Sequence, residues 1–290
     1  MELLQMRYFL AVAREQNISR AAELLFITQP SLTRQIQNME KEVGRPLFVR
    51  GSRKLRLTEA GALLQKRAEE ILSLYEKTES ELLCPENGVS GDVFIGGAET
   101  HAMQFLTDAA AALRQTHPDV RFHIHSGDIA DICERLDKGL VDFGLLIAPA
   151  DVSGYECLRL PVKDRWGALV RKDHPLARKT CVTPEDLAGE PLIVSKHALA
   201  GGILREWFGE TRPAEPAATY NLLYNAALMA LSGIGCVISI DKIVNMSGES
   251  GLSFLPLSPA LESPVFLVWK KHQLFSSAAQ RFLKTVREKA

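Results

Sequence analysis

A glutamine, a serine, a threonine and an arginine sit close together in the stretch Gln29-Pro30-Ser31-Leu32-Thr33-Arg34. These residue types suit one kind of chemistry, the reading of base edges in a duplex. A glutamine amide can bond N6 and N7 of adenine at once, and such a pair is worth roughly 1–3 kcal/mol of discrimination. Pro30 offers an apolar contact to a thymine methyl, and Ser31, Thr33 and Arg34 can reach bases or phosphates. A second basic group follows at Arg50, Arg53 and Lys54, around Gly51-Ser52. Its residues suit phosphate or minor-groove contact. A single arginine is ordinarily a solvated surface charge, and Arg50 has the further option of bracing Glu40.

A different chemistry is expected further along. Gly96-Gly97-Ala98-Glu99-Thr100-His101 leaves a predicted strand and enters a predicted helix. Exposed N–H groups at such a junction favour an anion. Thr100 supplies a hydroxyl there, whereas Glu99, if it points inward, disfavours a simple dianion. Ser126 ends a second strand, Ile147 a third, and Ser195-Lys196-His197 a fourth, while Asn221 lies near another strand end. Strand ends are where open α/β sheets bind small molecules. Lys196 could hold a carboxylate or could equally be a surface lysine. His123 and His125 alternate on one strand face as two metal ligands could. No third ligand is identifiable by spacing, so a polar sheet face or a subunit contact is the preferred reading. No nucleophile–base set and no glycine-rich phosphate loop is found, so catalysis is not expected, nor is a cofactor.

Charge distribution separates the two chemistries. The chain has 290 residues, with 34 basic and 35 acidic side chains. Residues 1–57 hold ten of the basic and five of the acidic ones, which leaves 24 against 30 for the rest. A basic head on a mildly acidic body suits a protein whose head alone meets phosphates. No apolar run approaches the ~18 residues of a membrane span. The N-terminus lacks the basic start and apolar core of a signal peptide. Cys84, Cys133, Cys157, Cys181 and Cys236 show no CxxC spacing. Reduced thiols in a cytosolic protein are therefore expected.

The elements that must position these residues follow from periodicity. A helix is predicted from about Leu3 to Arg14, with Leu3, Met6, Phe9, Leu10 and Ala13 on one face. Ser19–Leu25 reads as a short helix, Phe26-Ile27-Thr28 as a turn, and Gln29 to about Val43 as a second helix. Two helices joined so closely form a helix-turn-helix, whose second helix enters the major groove. Thr28 is the expected N-cap, Pro30 fits the first turn, Ile36, Met39 and Val43 continue the buried face, and Gly44 ends the helix. Leu47–Arg50 and Lys54–Leu57 read as two short strands of a wing.

Thr58 is expected to cap a long helix reaching about Leu83. Its apolar seam, Leu64, Ala68, Ile71, Tyr75, Thr78 and Leu82, alternates by four and three as a coiled coil does. Such a helix has no expected partner within its own small domain, so a homodimer seam is predicted, with packing on the next domain as the alternative. Pro85-Glu86-Asn87-Gly88 breaks it, and Gly91 completes a hinge. Beyond lie predicted strands at Val93–Gly96, Val120–His125, Asp142–Ile147, Gly167–Arg171, Leu192–Ser195 and Cys236–Ser239. Predicted helices are Met103–Gln115, Ala130–Lys138, Gly202–Phe208 and Leu222–Leu231, with Gly139 and Gly233 as C-terminal glycines. The layout is α/β, doubly wound with parallel sheets. A last strand, Val265–Trp269, and the helix Ser276–Lys289 return to the first lobe. The crossings between lobes are expected near Pro161–Lys163 and Ser263–Val265.

Over its full length the chain resembles the LysR-type transcriptional regulators. The matching residues in the head include Phe9, Ala21, Ala22, Gln29, Pro30, Ser31, Leu32, Arg34, Gln35, Ile36, Glu40, Gly44, Leu47, Phe48, Arg50, Arg53, Leu57, Thr58, Ala60 and Gly61. Leu136–Phe143, His174-Pro175-Leu176-Ala177 and Gly233-Ile234-Gly235 match weaker motifs of the body. Thr33 stands where many relatives carry serine. The resemblance favours DNA contact over a solvated charge for Arg34 and Arg53. It implies a winged helix-turn-helix head at 1–57, a dimerising linker helix at 58–84 and a hinge at 85–91. The effector domain at 92–290 would be two-lobed and periplasmic-binding-protein-like, with lobe I at 92–162 and 265–290 and lobe II at 163–264. The implied partners are double-stranded DNA with an interrupted palindromic operator, a small-molecule effector, further copies of the chain in a homotetramer, and RNA polymerase. Thr100, the N–H groups around it and Lys196 make a carboxylate-bearing effector the expectation. A redox- or metal-responsive regulator on the same scaffold, and a solute-binding or enzymatic domain with a DNA-binding head, are the alternatives.

Overall fold

The structure, a computed structural model, describes residues 1–50, 55–82, 88–211, 215–246 and 250–290, with only the backbone of Arg50. Contacts divide the chain into two compact units, Met1–Leu83 and Cys84–Ala290.

In the first unit, α1 (Leu3–Glu15), α2 (Ile18–Leu24) and α3 (Gln29–Val43) surround a core of Phe9, Val12, Ala21, Ala22, Leu32, Ile36 and Met39. Asn17 starts α2 by accepting the N–H of Arg20, and Thr28 starts α3 by accepting that of Ser31. Gly44 ends α3 at φ +72°, a left-handed conformation that costs glycine little. Val43 departs from expectation: it is 42% exposed, because the buried face of α3 ends at Met39 and the last turn runs past the core. Strands β1 (Phe48–Arg50) and β2 (Leu55–Leu57) pair antiparallel with Phe48 opposite Leu57. The wing's tip, with Gly51, Ser52, Arg53 and Lys54, lies outside the described residues, as does the side chain of Arg50. Glu40 has a backbone role. Its Oε1 accepts the N–H groups of Leu47 at 2.8 Å and Phe48 at 3.2 Å, which anchors the entry to β1.

Helix α4 (Glu59–Leu82) spans about 36 Å at the standard rise. Thr58 Oγ1 accepts the N–H of Gly61 at 3.0 Å and donates to the carbonyl of Pro46 at 2.8 Å, tying the helix start to the strand entry. The expectation that this helix lacks a partner in its own domain needs correction. Ala68 and Leu72 are buried against Met6 of α1, with Leu3 and Leu10 beside them. Ala68 therefore belongs to the intradomain contact. Leu63, Ile71, Leu74, Tyr75 and Leu82 remain exposed on other parts of the surface. The expected break at Pro85-Glu86-Asn87, and Cys84, lie outside the described residues.

In the second unit, β3 (Gly91–Gly97), α5 (Met103–Thr116), β4 (Val120–Ser126), α6 (Ile129–Asp137) and β5 (Phe143–Ile147) form the first lobe. The long β6 (Tyr155–Arg171) then carries the chain to the second. There follow a 3₁₀ turn (Pro175–Arg178), α7 (Pro184–Leu187), β7 (Leu192–Ser195), α8 (Lys196–Ala200) and α9 (Ile203–Phe208). After these come β8 (Ala218–Tyr220), α10 (Leu223–Leu231), β9 (Cys236–Ile240) and β10 (Leu252–Pro256). Finally β11 (Glu262–Lys270) and α11 (Ser277–Lys289) return to the first lobe, where α11 packs on α5. Gly139 and Gly233 take φ +73° and +79° just past their helices, as expected of C-terminal glycines.

The strands run in the order β4-β3-β5-β11-β6-β9-β7-β8, with β10 also on β6. The expected parallel sheets are present only in part. β3 is parallel to β4 and β5, and β7 to β8 and β9, but β6 and β11 run antiparallel to all their neighbours. The two crossing segments pair with one another, Ser263 opposite Asp164 and Pro264 opposite Lys163, with a register shift immediately after. β5 and β9 are buried at every position, which accounts for their almost wholly apolar sequences, Ser239 being the polar exception.

Gly61 supplies a test of the head's packing. An added Cβ would overlap the carbonyl oxygen of Leu47. Gly61→Ala is therefore expected to destabilise the head by roughly 1–3 kcal/mol. Urea unfolding of the full chain followed by circular dichroism measures this. A midpoint unchanged from wild type would contradict the close approach.

Candidate nucleic-acid interface and interlobe cavity

The outer face of α3 is open. Gln29, Pro30, Thr33, Arg34, Gln37, Asn38 and Lys41 line one shallow groove along it. Gln29 Nε2 donates to Thr33 Oγ1 at 3.0 Å, so the threonine orients the amide one turn away. Ser31 and Arg34 are exposed, and Arg34 has no ion-pair partner among the described residues. Gln37, Asn38 and Lys41 were not among the expected contacts. Their steps of three and four from Pro30 and Arg34 were the available signal. A convex helix with polar side chains on its outer face, set on a buried apolar core, is the shape that enters a major groove.

In the second unit a cavity of about 310 Å³ opens between the lobes. Its lining comes mostly from the carboxyl ends of strands. Ala98 and Glu99 follow β3, Gly127 and Asp128 follow β4, and Ile147 ends β5. Ser195, Lys196 and His197 span the junction of β7 with α8. Tyr220, Asn221 and Ile240 end β8 and β9, and Trp166 of β6 closes the wall.

Glu99, Ile147, Ser195, Lys196 and Asn221 of the expected set are thus brought together. Thr100, His101 and Ser126 are not, and this corrects their expected placement. Thr100 is buried, and its hydroxyl donates to the Asp164 carboxylate at 2.7 Å while accepting the N–H of Ala102 at 2.9 Å. The chain leaving β3 turns residue 99 toward the cavity and residue 100 toward the crossing strand. His101 lines a second, charged hollow with Asp164, Arg165, Asp241 and Lys242. Ser126 stops short of the lining, which begins at Gly127.

Several groups at the cavity already have structural work. Ser195 Oγ accepts the N–H of Ala198 at 3.0 Å and caps α8. Asp128 caps α6 through Asp131 N–H at 3.0 Å. Tyr220 donates its hydroxyl to Ile238 O at 2.8 Å, and burial pushes its pKa well above the ordinary tyrosine value. α10 has no side-chain cap of its own. Its first N–H, that of Leu223, goes instead to Glu99 Oε2 of the other lobe at 3.3 Å. Among the described residues His197 Nε2 is buried without a hydrogen-bond partner, and burial lowers the imidazole's pKa, opposed by the Asp128 carboxylate. His197 was expected here with Ser195 and Lys196, whereas Asp128, two residues past the end of β4, and Trp166 were missed, Trp166 because only the long-range pairing of β6 brings it to the cavity.

The histidines do not form a metal site by their geometry. His123 Nε2 lies 2.8 Å from Asp92, and His125 Nε2 lies 2.6 Å from Asp131, so each has a different carboxylate. His174, Glu190 and Cys236 do converge, with their ligand atoms within 4.8 Å. Yet His174 Nδ1 accepts the N–H of Leu176 at 3.3 Å, which places the ring proton on Nε2, facing Glu190 at 3.5 Å. Burial also pushes the Cys236 thiol up to about 12. In this state the imidazole faces Glu190, and the Cys236 thiol lies buried beside the pair. Cys133, Cys157, Cys181 and Cys236 are free thiols.

Comparison with known proteins places both units. Residues 3–62 match the family described as bacterial regulatory helix-turn-helix protein, lysR family. Residues 86–290 match the family described as LysR substrate binding domain. The chain is 29% identical to the Hca operon transcriptional activator HcaR of Escherichia coli strain K12, over 100% of this chain and 98% of that one. It is 29% identical to the HTH-type transcriptional regulator YnfL of the same strain, over 97% and 96% of the two chains. Among solved structures, its fold is similar to CbnR, a LysR family transcriptional regulator, with a TM-score of 0.80 at 20% identity over 100% of this chain and 99% of that one. Full-length CbnR complexed with its target DNA gives 0.78 at 20% identity, over 100% of both chains.

Asp164 gives the site a pH-dependent component. Burial raises its pKa, opposed by the Thr100 hydrogen bond and by His101. A carboxyl whose folded pKa exceeds its unfolded one contributes stability that is complete below the unfolded pKa and lost as pH rises through the folded one. Asp164→Asn keeps an acceptor for Thr100 and removes the charge. Wild type should therefore lose stability relative to Asp164→Asn as pH rises from about 4. Urea midpoints of both proteins between pH 4 and 8 test this. A constant offset over the whole range would argue against a buried charge at this position.

Proposed function

The chain belongs to the LysR family of DNA-binding transcriptional regulators, and from that premise we propose how it reads DNA, assembles and responds. The outward polar face of α3 carries the reading. Gln29, oriented by Thr33, contacts base edges, with Pro30 and Ser31 beside it. Arg34, Arg50 and Arg53 meet phosphates or the minor groove. The similar CbnR is complexed with target DNA, which supports this use of the head. The operator is an interrupted palindrome, since a dimer presents two recognition helices to half-sites roughly 34 Å apart. The head comprises 1–57, the linker helix 58–84, the hinge 85–91 and the effector domain 92–290.

Two apolar surfaces support a homotetramer. Ile71, Tyr75, Thr78 and Leu82 lie exposed along α4, and an exposed apolar seam of this spacing suits a helix pair between chains. The second surface is the outer side of α10, where Tyr224, Leu228 and Leu231 are exposed while Ala226, Ala227 and Ala230 are buried. Two self-complementary surfaces on one chain are what a dimer of dimers requires.

The body answers to a small molecule bearing a carboxylate, held in the interlobe cavity with Lys196 as its cationic partner. Such a ligand shifts the assembly only by its difference in affinity between arrangements. The regulator acts in the cytoplasm and passes its state to RNA polymerase. Among the described residues no helix is long and apolar enough to cross a membrane.

Two predictions test these assignments. Gln29→Ala should mainly relax sequence preference, whereas Arg53→Ala should weaken binding to every duplex and reduce the salt slope by about one. Isotherms on operator and random duplexes at several salt concentrations separate the two. Equal losses on both duplexes for Gln29→Ala would remove it from base reading. Ile71→Asp should leave the head folded, because Ile71 is 42% exposed in the single chain. It should nevertheless break the seam and lower operator affinity, as seen by light scattering and DNA binding. An unchanged oligomer with full affinity would exclude this seam.

A further inference from the structure

The interlobe cavity holds polar groups that the fold leaves unused. Glu99 spends Oε2 on the N–H of Leu223, and Asp128 spends Oδ1 on that of Asp131. The other oxygen of each carboxylate has no partner among the described residues. Both acids belong to the first lobe. From the second lobe, Lys196 brings an ammonium without an ion-pair partner among the described residues. Between these poles the wall is apolar, formed by Trp166, Ile147 and Ile240.

This distribution selects for ligand charge. A ligand bearing only a carboxylate would satisfy Lys196 but add a third negative charge beside Glu99 and Asp128. Glu99, Asp128 and Lys196 are exposed in the cavity as it stands, and a ligand that covers them strips their water, so like charges brought together there are costly. A ligand bearing only an ammonium would leave Lys196 without a partner. One that carries both, with an apolar body, complements the three charged groups Glu99, Asp128 and Lys196. It would also bridge the two lobes, since its counter-charges come from different ones.

Resting on the cavity as effector site, we propose that this regulator takes a free α-amino acid with an apolar side chain. Its ammonium lies between Glu99 and Asp128, its carboxylate meets Lys196, and its side chain packs on Trp166 and Ile240. Glu99 has a second task, because its bond to Leu223 ties α10 to the first lobe. Glu99→Gln separates the two tasks: the amide oxygen still accepts the Leu223 N–H, but the charge is gone.

The test uses the full chain and matched compounds. L-leucine and L-phenylalanine are each titrated calorimetrically beside their deaminated acids and decarboxylated amines, with melting temperature as a second readout. At least one amino acid is expected to bind, with its acid and amine at least roughly tenfold weaker. Glu99→Gln should close the gap between amino acid and deaminated acid without weakening the acid. Lys196→Ala should close the gap between amino acid and amine. The proposal is overturned if the acid binds wild type as tightly as the amino acid, if Glu99→Gln weakens both alike, or if neither amino acid binds. Ala130→Trp, at the exposed rim of the cavity, separates this inference from the reading beneath it. Should an acid bind alone and lose its affinity in Ala130→Trp, the cavity stands and the amino-acid inference falls. Should an amino acid bind Ala130→Trp with undiminished affinity, the cavity itself is misassigned and the proposal falls with it.

Discussion

The antiparallel pairing of β6 with β11 is the constraint on which the larger unit depends. β6 runs as one strand through both lobes, pairing with β11 over Tyr155–Arg165 and with β9 and β10 over Trp166–Arg171. Each lobe adds its parallel strands outward from this pair, so strand ends of both lobes face one cavity. The crossing point is held by more than the ladder. Trp166 Nε1 donates to the fully buried Ser263 hydroxyl at 2.9 Å, and Asp164 receives the hydroxyl of Thr100. A change in the angle between the lobes would act on these few bonds first, because the parallel sheets on either side are rigid blocks.

Charge placement at the cavity follows from the same geometry. The segment after β3 turns one residue toward the cavity and the next toward the crossing strand, so Glu99 and Thr100 have opposite fates. Glu99 completes a helix of the other lobe, whose first N–H would otherwise lack a cap. Thr100 is consumed by a buried carboxylate. One residue of register thus decides that this segment presents a carboxylate and not a hydroxyl to the cavity.

The head solves a different problem with one helix. α4 holds to its own domain and yet leaves apolar surface exposed. It does so with two faces: Ala68 and Leu72 go inward onto Met6, while Ile71 and Tyr75 stay outward. The inward face runs from Gly61 through Ala68 and Leu72 to Lys77, and α1 lies alongside as far as Glu76, which pairs with Arg7. Small residues at Gly61 and Ala68 let the helix approach closely, which anchors it firmly enough to position a recognition helix at its other side.

What the sequence determined by itself was local. Thr28, Gly44, Thr58, Gly139 and Gly233 mark helix ends through hydrogen bonds and φ angles that span a few residues. The helical periods and the wing strands are equally short-range, and the ordered run of head residues made the resemblance legible. What failed was long-range. Of β6 only Gly167–Arg171 was expected, because Tyr155–Asp164 mixes polar and apolar residues around Pro161 and its strand character comes from pairing with β11. The antiparallel direction of that pair, the burial of Ala68 by α1, the diversion of Thr100 to Asp164 and the arrival of Trp166 at the cavity were decided only by tertiary structure. The physical reason is common to all of them. Each depends on a partner at least about thirty residues away, and no pattern within one element records which partner the folded chain will bring.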